Sequence, residues 1–305
     1  MLPESKAVPD DERKAQPQGH LREQRVDSEG FEHGRDGSGT RSVYRQAMRH
    51  CYVLRVFTRD GEGGNLLGVV TDVTGLSGDV MQSIAADLGY SETVFIDWRN
   101  GGVPSVRIFT PAVEMPFAGH PLVGAAWVLS VMGPGGPDRL RCEIGDVLMR
   151  LVGEQVWIDP PPDREVTGDE QARPDWVQSR SRVIVNMPLP YLLVEAASPD
   201  DVSDAGPPPP GWGDAVMLWS WSAPGSMVKA RFFAGGLGVV EDPATGSAAV
   251  ALAAALSKRG MAEGAVTIHQ GDEVGAPSTI HMEWSPGYVT IGGSVVRDRL
   301  LELEK

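Results

Sequence analysis

Residues 241–248 read Glu-Asp-Pro-Ala-Thr-Gly-Ser-Ala, and residues 114–121 read Glu-Met-Pro-Phe-Ala-Gly-His-Pro. Both segments have the pattern Glu-x-Pro-x-x-Gly, followed by a residue with a polar side chain. The second segment lies 127 residues after the first. Each follows a strand-like run that contains an arginine, Arg107 or Arg231, and each precedes an apolar helix pattern rich in small residues. A repeat at this spacing predicts two similar halves, whose helix starts face one site between them.

The whole chain is long enough for two domains of ordinary size, with 305 residues of which 41% are hydrophobic. It has no run of 18 apolar residues and no apolar signal-peptide core behind its N-terminal charges, so the sequence predicts neither a membrane partner nor secretion. Its two cysteines, Cys51 and Cys142, form no CxxC or Cys/His cluster. We therefore expect a cytoplasmic protein without a disulfide framework or a metal site.

The net charge of −14 is unevenly distributed. Residues 1–50 contain nine Lys/Arg and nine Asp/Glu, so the excess acid lies in residues 51–305. Because no basic stripe appears there, a nucleic-acid partner is not expected. Residues 1–48 are polar without a hydrophobic period, which predicts a disordered N-terminal extension. Met48 stands just before the first strand-like run, and a translation start at this residue is one hypothesis.

Hydrophobic patterning predicts an α+β protein with a first half at 49–153 and a second half at 154–305. Strand-like runs alternate with three helix patterns at Ser77–Leu88, 121–131 and 247–258. In the second half these runs include residues 191–195 and 288–291. The last two helix patterns each end at a glycine-containing segment, and both are apolar enough to be buried. The simplest architecture is two halves of mixed sheet, each with one buried central helix. Whether the C-terminal strand returns to the first half is left open.

The second helix start offers an anion site. Thr245, Gly246 and Ser247 lie where free backbone N–H groups point out of a helix, a place suited to a carboxylate. Gly246 permits close approach of a ligand to the backbone, and Ser247 adds a hydroxyl. The alternative is ordinary N-capping, with Pro and Ser/Thr at their usual places. Asp242 is likewise either an acid of the site or a helix cap.

The first helix start has Gly119 and His120 where the second has Gly246 and Ser247. The helix dipole disfavours a cationic histidine at this end. A neutral His120 can donate to a substrate atom, accept from it, or shuttle a proton. The alternative is that His120 caps its own helix.

Glu92 lies between a helix end and the apolar run Thr93–Ile96. Burial there would raise its pKa toward values useful for general acid/base catalysis, whereas a solvated Glu at a helix–strand junction would have no such role. Asn65, after two glycines, has the pattern of a turn residue. Arg107 and Arg231 are expected on sheet faces or paired with acids.

Taken together and in order, these motifs resemble the PhzF (phenazine biosynthesis) family. The match spans roughly residues 52–294. The stretches that carry it are Gly64-Asn65, Ser91–Phe95, Arg107–Pro121, Gly238–Ala248 and Gln270–Ser278.

The resemblance implies the diaminopimelate-epimerase-like fold, in which two pseudo-symmetric halves each roll a mixed β-sheet around a central α-helix. It implies a site in the cleft between the halves, a homodimer, and a small carboxylic acid as the substrate. The founding activity of the family is a cofactor-independent isomerisation that moves a proton within a cyclohexadiene carboxylic acid. Such a shift requires one carboxyl of raised pKa and dipoles that stabilise a delocalised anion, without a metal or other cofactor.

By the same resemblance, Glu92 takes a proton from one carbon and returns it to another. His120 and Asp242 share the substrate's protons and complete the predicted catalytic set. The predicted substrate-binding residues are Asn65, Gly119, Thr245, Gly246 and Ser247.

Three departures from the family pattern stand out. Residues 275–278 read Gly-Ala-Pro-Ser in place of Gly-Arg-Pro-Ser, so a basic group is missing. Leu66 follows Asn65 where the family has proline. The region of about 157–222 has little match. Substrate contacts from the second half are therefore expected to differ.

Two other functions are compatible with this fold. Amino-acid racemases or epimerases use a cysteine at each helix start. The matching positions here are His120 and Ser247, while Cys51 and Cys142 lie elsewhere, so a two-thiol mechanism is disfavoured. A non-catalytic binding protein that kept the cleft is the third interpretation, and the presence of Glu92, His120 and Asp242 argues against it.

Overall fold

The structure is a computed structural model that describes residues 23–24, 49–99, 102–132, 136–160, 165–167, 174–187 and 189–303. The predicted disorder of residues 1–48 lies outside these ranges except at Glu23–Gln24, which pair antiparallel with Leu300 and Leu301. No helix in the described ranges is long and apolar enough to cross a membrane.

The described residues form 18 strands. The first nine strands are β1 Glu23–Gln24, β2 Arg49–Thr58, β3 Asn65–Val70, β4 Glu92–Asp97, β5 Ser105–Phe109, β6 Glu114–Met115, β7 Arg139–Cys142, β8 Gly145–Val152 and β9 Gln155–Asp159. The other nine are β10 Glu165–Thr167, β11 Ser179–Asn186, β12 Pro190–Ala196, β13 Val216–Ala223, β14 Met227–Ala234, β15 Val239–Asp242, β16 Gly264–Gln270, β17 Ser278–Ser285 and β18 Tyr288–Leu303.

The same residues form four α-helices and two short 3₁₀ helices. The helices are α1 Gly78–Leu88, α2 Gly119–Met132, α3 Pro199–Asp204 and α4 Gly246–Lys258, and the 3₁₀ turns are Gly235–Leu237 and Asp272–Val274. This content agrees with the predicted α+β class. The polar, six-residue α3 and the short strands β6, β10 and β15 have too little hydrophobic pattern to be predicted.

All strands hydrogen-bond into one mixed sheet. The C-terminal strand β18 connects three regions of this sheet, because it pairs with three different strands. Residues 288–292 pair with β17, residues 291–294 with β9, and residues 294–303 with β2. The sequence predicted a strand at 288–291 alone. Residues 292–303, which mix apolar and charged side chains without regular alternation, continue the strand because β2 supplies backbone partners that the local sequence does not reveal.

Helices α2 and α4 are the centres of the core. Each has ten buried residues, spread around the whole helix rather than along one stripe. A helix that is apolar on all sides is stable only when neighbouring elements surround it. Both contain mainly Ala, Gly, Val and Leu, which allow close packing against the strands. The helix α2 begins at Gly119, two residues before the predicted start.

Helix α1 instead covers the opposite face of the first strands. Ser77 caps its N-terminus by accepting from the Val80 N–H, and Gly89 ends it with φ 67°. Its buried residues, Met81 and Ile84 among them, belong to a second apolar cluster with residues of β2 and β4. The predicted boundaries of this helix are confirmed, because cap residues and periodicity are both local signals.

The starts of α2 and α4 are in direct backbone contact. A Cβ on Gly119 would lie 2.6 Å from the carbonyl carbon of Gly246, and a Cβ on Gly246 would lie 3.1 Å from Gly119 Cα. No other residue type has a short enough side chain for this approach. The shared glycine of the two sequence motifs therefore lets the helix starts meet.

The shared glutamate of the motifs has a structural role in both parts of the chain. Arg107 donates to both carboxylate oxygens of Glu114 at 2.7 and 2.6 Å, and Arg231 donates to both oxygens of Glu241 at 2.8 and 2.7 Å. Each pair links two adjacent antiparallel strands just before a central helix. The side chains of the first pair are 42% and 35% exposed, and those of the second are 9% exposed. Both arginines thus pair with acids, one of the two predicted roles.

The glycine contact predicts the effect of Gly119→Ala. Because the added Cβ would overlap backbone rather than a movable side chain, we expect the free energy of unfolding to fall by roughly 3 kcal/mol. Gly206→Ala is the control, since open space surrounds that glycine, and its change should stay within about 0.5 kcal/mol. Urea denaturation of both variants measures the difference. Equal stabilities would contradict the packing role.

The two ion pairs predict unequal effects of one substitution. Glu241→Gln leaves a buried guanidinium without its carboxylate and should lower the free energy of unfolding by roughly 2–4 kcal/mol. Glu114→Gln removes an exposed pair and should cost under about 1 kcal/mol. Thermal and urea denaturation of the two variants provide the comparison. Similar losses in both would show that burial does not govern these pairs.

Candidate active site

A small cavity lies where the starts of α2 and α4 meet the sheet. Half of its lining residues are apolar and none of those described is cationic. The apolar lining residues are Met115, Phe117, Ala118, Leu189, Phe232, Ala234 and Val239, and the polar ones are Ser91, Glu92, Thr110, Tyr191, Asp242, Thr245 and Ser247. A ligand that fits this wall is largely apolar with a few polar atoms.

Glu92, the first residue of β4, presents its carboxyl to this cavity. The side chain is 18% exposed, while Oε2 is buried and lies 3.4 Å from His120 Nε2. Burial, and second the nearby charge of Asp242, raise the pKa of Glu92 to about 8. A carboxyl in this environment keeps its proton at neutral pH and is a strong base once ionised.

His120 is the second residue of α2 and is 3% exposed. Burial lowers its pKa to about 3, against a backbone hydrogen bond at Leu66 that favours the charged form. The imidazole is therefore neutral across the physiological range. The sequence attributed this neutrality to the helix dipole, whereas in the structure burial is the larger cause.

Asp242 ends β15 with its carboxylate held by two donors. Asn65 Nδ2 donates to Oδ1 at 2.7 Å, and Thr245 Oγ1 donates to Oδ2 at 2.6 Å. Burial raises the pKa of Asp242 to about 6, and these two hydrogen bonds oppose the rise. Thr245 is the N-cap residue of α4, but its hydroxyl bonds Asp242 instead of a helix N–H. Asp242 is thus a residue of the cavity wall and not the cap.

Asn65 connects the two sides of the site. Its Nδ2 also donates to the Ala244 carbonyl at 3.1 Å and lies 3.3 Å from His120 Nδ1, and its Oδ1 accepts from Ser91 Oγ at 3.2 Å. The preceding turn ends at Gly64, with φ 78°, and Asn65 begins β3. Its amide is occupied by protein groups, so the structure places this predicted substrate-binding residue beside the catalytic candidates and outside the cavity lining.

Gln270, which begins one of the stretches that resemble the family but was given no role from sequence, holds the turn that follows Asp242. Its Nε2 donates to the Asp242 carbonyl at 2.6 Å and to Thr245 Oγ1 at 3.1 Å, and its Oε1 accepts from the Thr245 N–H at 3.3 Å. Gln270 is 1% exposed. The Thr245 N–H, predicted to be free for an anion, therefore has a protein acceptor. A glutamine at a strand end gives no local signal of such a role.

Tyr191, in β12, is the second functional candidate that sequence reasoning missed. Its hydroxyl donates to Ser247 Oγ at 2.9 Å. Burial raises the pKa of Tyr191 to about 12, so the phenol stays protonated. The sequence indicated only a strand at this position, because the pairing crosses 56 residues between two elements.

The predicted role of the motif glycines also changes. Gly246 was expected to let a ligand approach the backbone, but the space of its missing side chain is taken by Gly119 and by Ile291. Neither glycine lines the cavity. The free cysteines, Cys51 in β2 and Cys142 in β7, are buried and lie outside the cavity lining too.

The family profile described as "Phenazine biosynthesis-like protein" matches residues 54–156 and 212–297, and these two stretches cover more than half of the chain. The chain belongs to the PhzC-PhzF family. The matched stretches contain Glu92, His120, Asp242 and both helix starts. Leu189 and Tyr191 of the cavity wall lie between them, in the region where the sequence showed little resemblance.

Named relatives and solved structures agree with this assignment. An uncharacterized isomerase of Pasteurella multocida is 30% identical over 261 residues, which cover 80% of this chain and 90% of the relative. A trans-2,3-dihydro-3-hydroxyanthranilate isomerase of Pseudomonas chlororaphis is 30% identical over 252 residues, 76% and 88% of the two chains. The PhzF-family protein of Bacillus anthracis superposes with a TM-score of 0.70 at 18% identity, over 85% of this chain and 99% of that one. This PhzC-PhzF protein has the predicted epimerase-like fold and is an isomerase.

The raised pKa of Glu92 predicts a pH-dependent stability. Because its pKa rises on folding from 4.5 to about 8, the native state binds more protons than the unfolded state between these values, and stability falls as pH rises. Glu92→Gln removes the titrating carboxyl and with it this pH dependence. The stability of the variant relative to the unsubstituted chain should increase by roughly 2–4 kcal/mol from pH 5 to pH 8. Urea denaturation at both pH values measures it, with the exposed Glu283→Gln as control. Equal pH slopes in all three proteins would contradict a buried, titrating Glu92.

Proposed function

We propose that this PhzC-PhzF protein moves a proton within a small unsaturated or cyclic carboxylic acid without a cofactor, and that Glu92 carries the proton. The observation that supports this most directly is a buried carboxyl of raised pKa in the cavity wall, 3.4 Å from a neutral histidine. One carboxyl with a pKa near working pH serves both as the base that removes a proton and as the acid that returns it.

The arrangement around Glu92 suits both steps. In the first, ionised Glu92 takes a proton from a carbon next to the unsaturated system, which leaves a delocalised anion. In the second, the now neutral carboxyl gives that proton to another carbon of the same face. Neutral His120 beside Oε2 adds no charge that would lower the basicity of Glu92, and the negative Asp242 raises it.

The delocalised anion needs donors on the other side of the substrate. Ser247 lines the cavity at the first turn of α4, where the helix dipole favours negative charge. No lysine or arginine belongs to the described lining, so the substrate's carboxylate would be held by hydroxyl and backbone N–H groups. The relative from Pseudomonas chlororaphis is named for an aminated, hydroxylated cyclic carboxylic acid, which belongs to the class proposed here.

The decisive experiment is proton exchange in deuterated water, followed by NMR. The chain is incubated with a panel of small unsaturated and cyclic carboxylic acids that includes trans-2,3-dihydro-3-hydroxyanthranilate. We expect deuterium to enter at least one panel member, and Glu92→Gln to reduce that rate at least ~10³-fold while folding is kept, because glutamine cannot exchange the proton. Glu283→Gln, on an exposed strand position, is the matched control.

Two results would count against this proposal. Exchange at an undiminished rate in Glu92→Gln would remove Glu92 as the proton carrier. Absence of exchange with every panel member in the unsubstituted chain would reject this substrate class.

A further inference from the structure

The hydroxyl groups of the cavity differ in whether their hydrogen is already used. Five lining residues carry a hydroxyl. Four of these donate to another protein group, namely Ser91 to Asn65 Oδ1 at 3.2 Å, Thr110 to the Val113 carbonyl at 3.1 Å, Thr245 to Asp242 Oδ2 at 2.6 Å and Tyr191 to Ser247 Oγ at 2.9 Å.

Ser247 is the exception. Its Oγ accepts from Tyr191, and within the described part of the chain it donates to no protein acceptor. A hydroxyl has one hydrogen and two lone pairs, so an oxygen that accepts from one side directs its hydrogen elsewhere. Since Ser247 lines the cavity, that hydrogen is available to a ligand oxygen.

The direction of the Tyr191–Ser247 bond follows from chemistry and packing. A phenol is a stronger acid than an aliphatic alcohol and is therefore the better donor of the pair. The Tyr191 ring is fixed against Phe232, with ring centroids 5.9 Å apart, so its hydroxyl stays beside Ser247. Tyr191 is 7% exposed, and water has little access to compete for its hydrogen.

We infer that Tyr191 is a positioning residue that orients the Ser247 hydroxyl as the hydroxyl donor to the substrate. Tyr191 acts by occupying a lone pair of Ser247, without reacting itself. It comes from the segment between the two stretches that the family profile matches, so this orientation is a feature that the shared motifs do not encode. The catalytic consequence of this orientation is that the Ser247 hydroxyl donates to the anion formed from a carboxylic acid, and this consequence rests on the proposed function.

The orientation itself can be observed without any ligand. Neutron diffraction from crystals of the full chain exchanged into deuterated water locates both hydroxyl deuterons. We expect the Tyr191 deuteron on the line to Ser247 Oγ, and the Ser247 deuteron directed into the cavity. A Ser247 deuteron directed at Tyr191 or at a backbone carbonyl would overturn the inference.

Binding of benzoate, measured by calorimetry, tests the consequence. Tyr191→Phe keeps the ring and loses the donor, and we expect it to weaken binding roughly 5-fold. Ser247→Ala should weaken it about 10-fold, and the double variant no further, because Tyr191 acts through Ser247. Tyr288→Phe, whose hydroxyl bonds Asp159 on the surface, is the control and should bind as the unsubstituted chain does.

The outcomes separate this inference from the proposed function. Additive losses in the double variant, or unchanged binding in Tyr191→Phe, would overturn the role of Tyr191. A chain that shows the expected deuteron orientation yet binds no benzoate supports the hydroxyl assignment and counts against the proposed carboxylate class.

Discussion

The contact between Gly119 and Gly246 is the constraint on which the site depends. Two central helices, each surrounded by sheet, touch through backbone atoms at their first residues. Because no side chain separates them, the residues that follow each glycine converge, His120 from one helix and Ser247 from the other. Glu92 then needs only a short strand beside α2 to reach the same point. A single added carbon at this contact would therefore force the backbone of one helix start to shift.

The second organising feature is the difference between the surroundings of two buried carboxyls, those of Asp242 and Glu92. Asp242 has two donors, Asn65 and Thr245, which favour its ionised form. Glu92 has neither a comparable donor at Oε2 nor solvent there, and it also experiences the charge of Asp242. Their environments push the two pKa values apart, as is usual where one group must hold a proton and its neighbour must not. The raised pKa of Glu92 lowers the stability of the folded chain at neutral pH.

Local signals in the sequence predicted much of this structure, and tertiary contacts explain the rest. Caps and periodicity located α1, and the repeated Glu-x-Pro-x-x-Gly frame located both central helices and placed His120, Asp242 and Ser247 at their starts. The position of Glu92 before an apolar run allowed either a buried or a solvated carboxyl, and only the structure shows that Oε2 is buried. By contrast, the roles of Tyr191 and Gln270 arise from bonds to residues 25 or more positions away. The motif glycines were assigned to a ligand, because sequence alone does not reveal which neighbour fills the space beside a glycine.

The pairing of β18 with β2 has a consequence for how the chain reaches its fold. Arg55 of β2 bonds Asp298 of β18 across 243 residues. During synthesis the first strands emerge early, yet the edge of β2 finds this partner only after nearly the whole chain has left the ribosome. Topologies dominated by such distant pairings fold slowly, and an open strand edge invites association with other chains. Pairing with β18 thus protects the edge of β2 only in the final stage of folding, when residues 294–303 are in place.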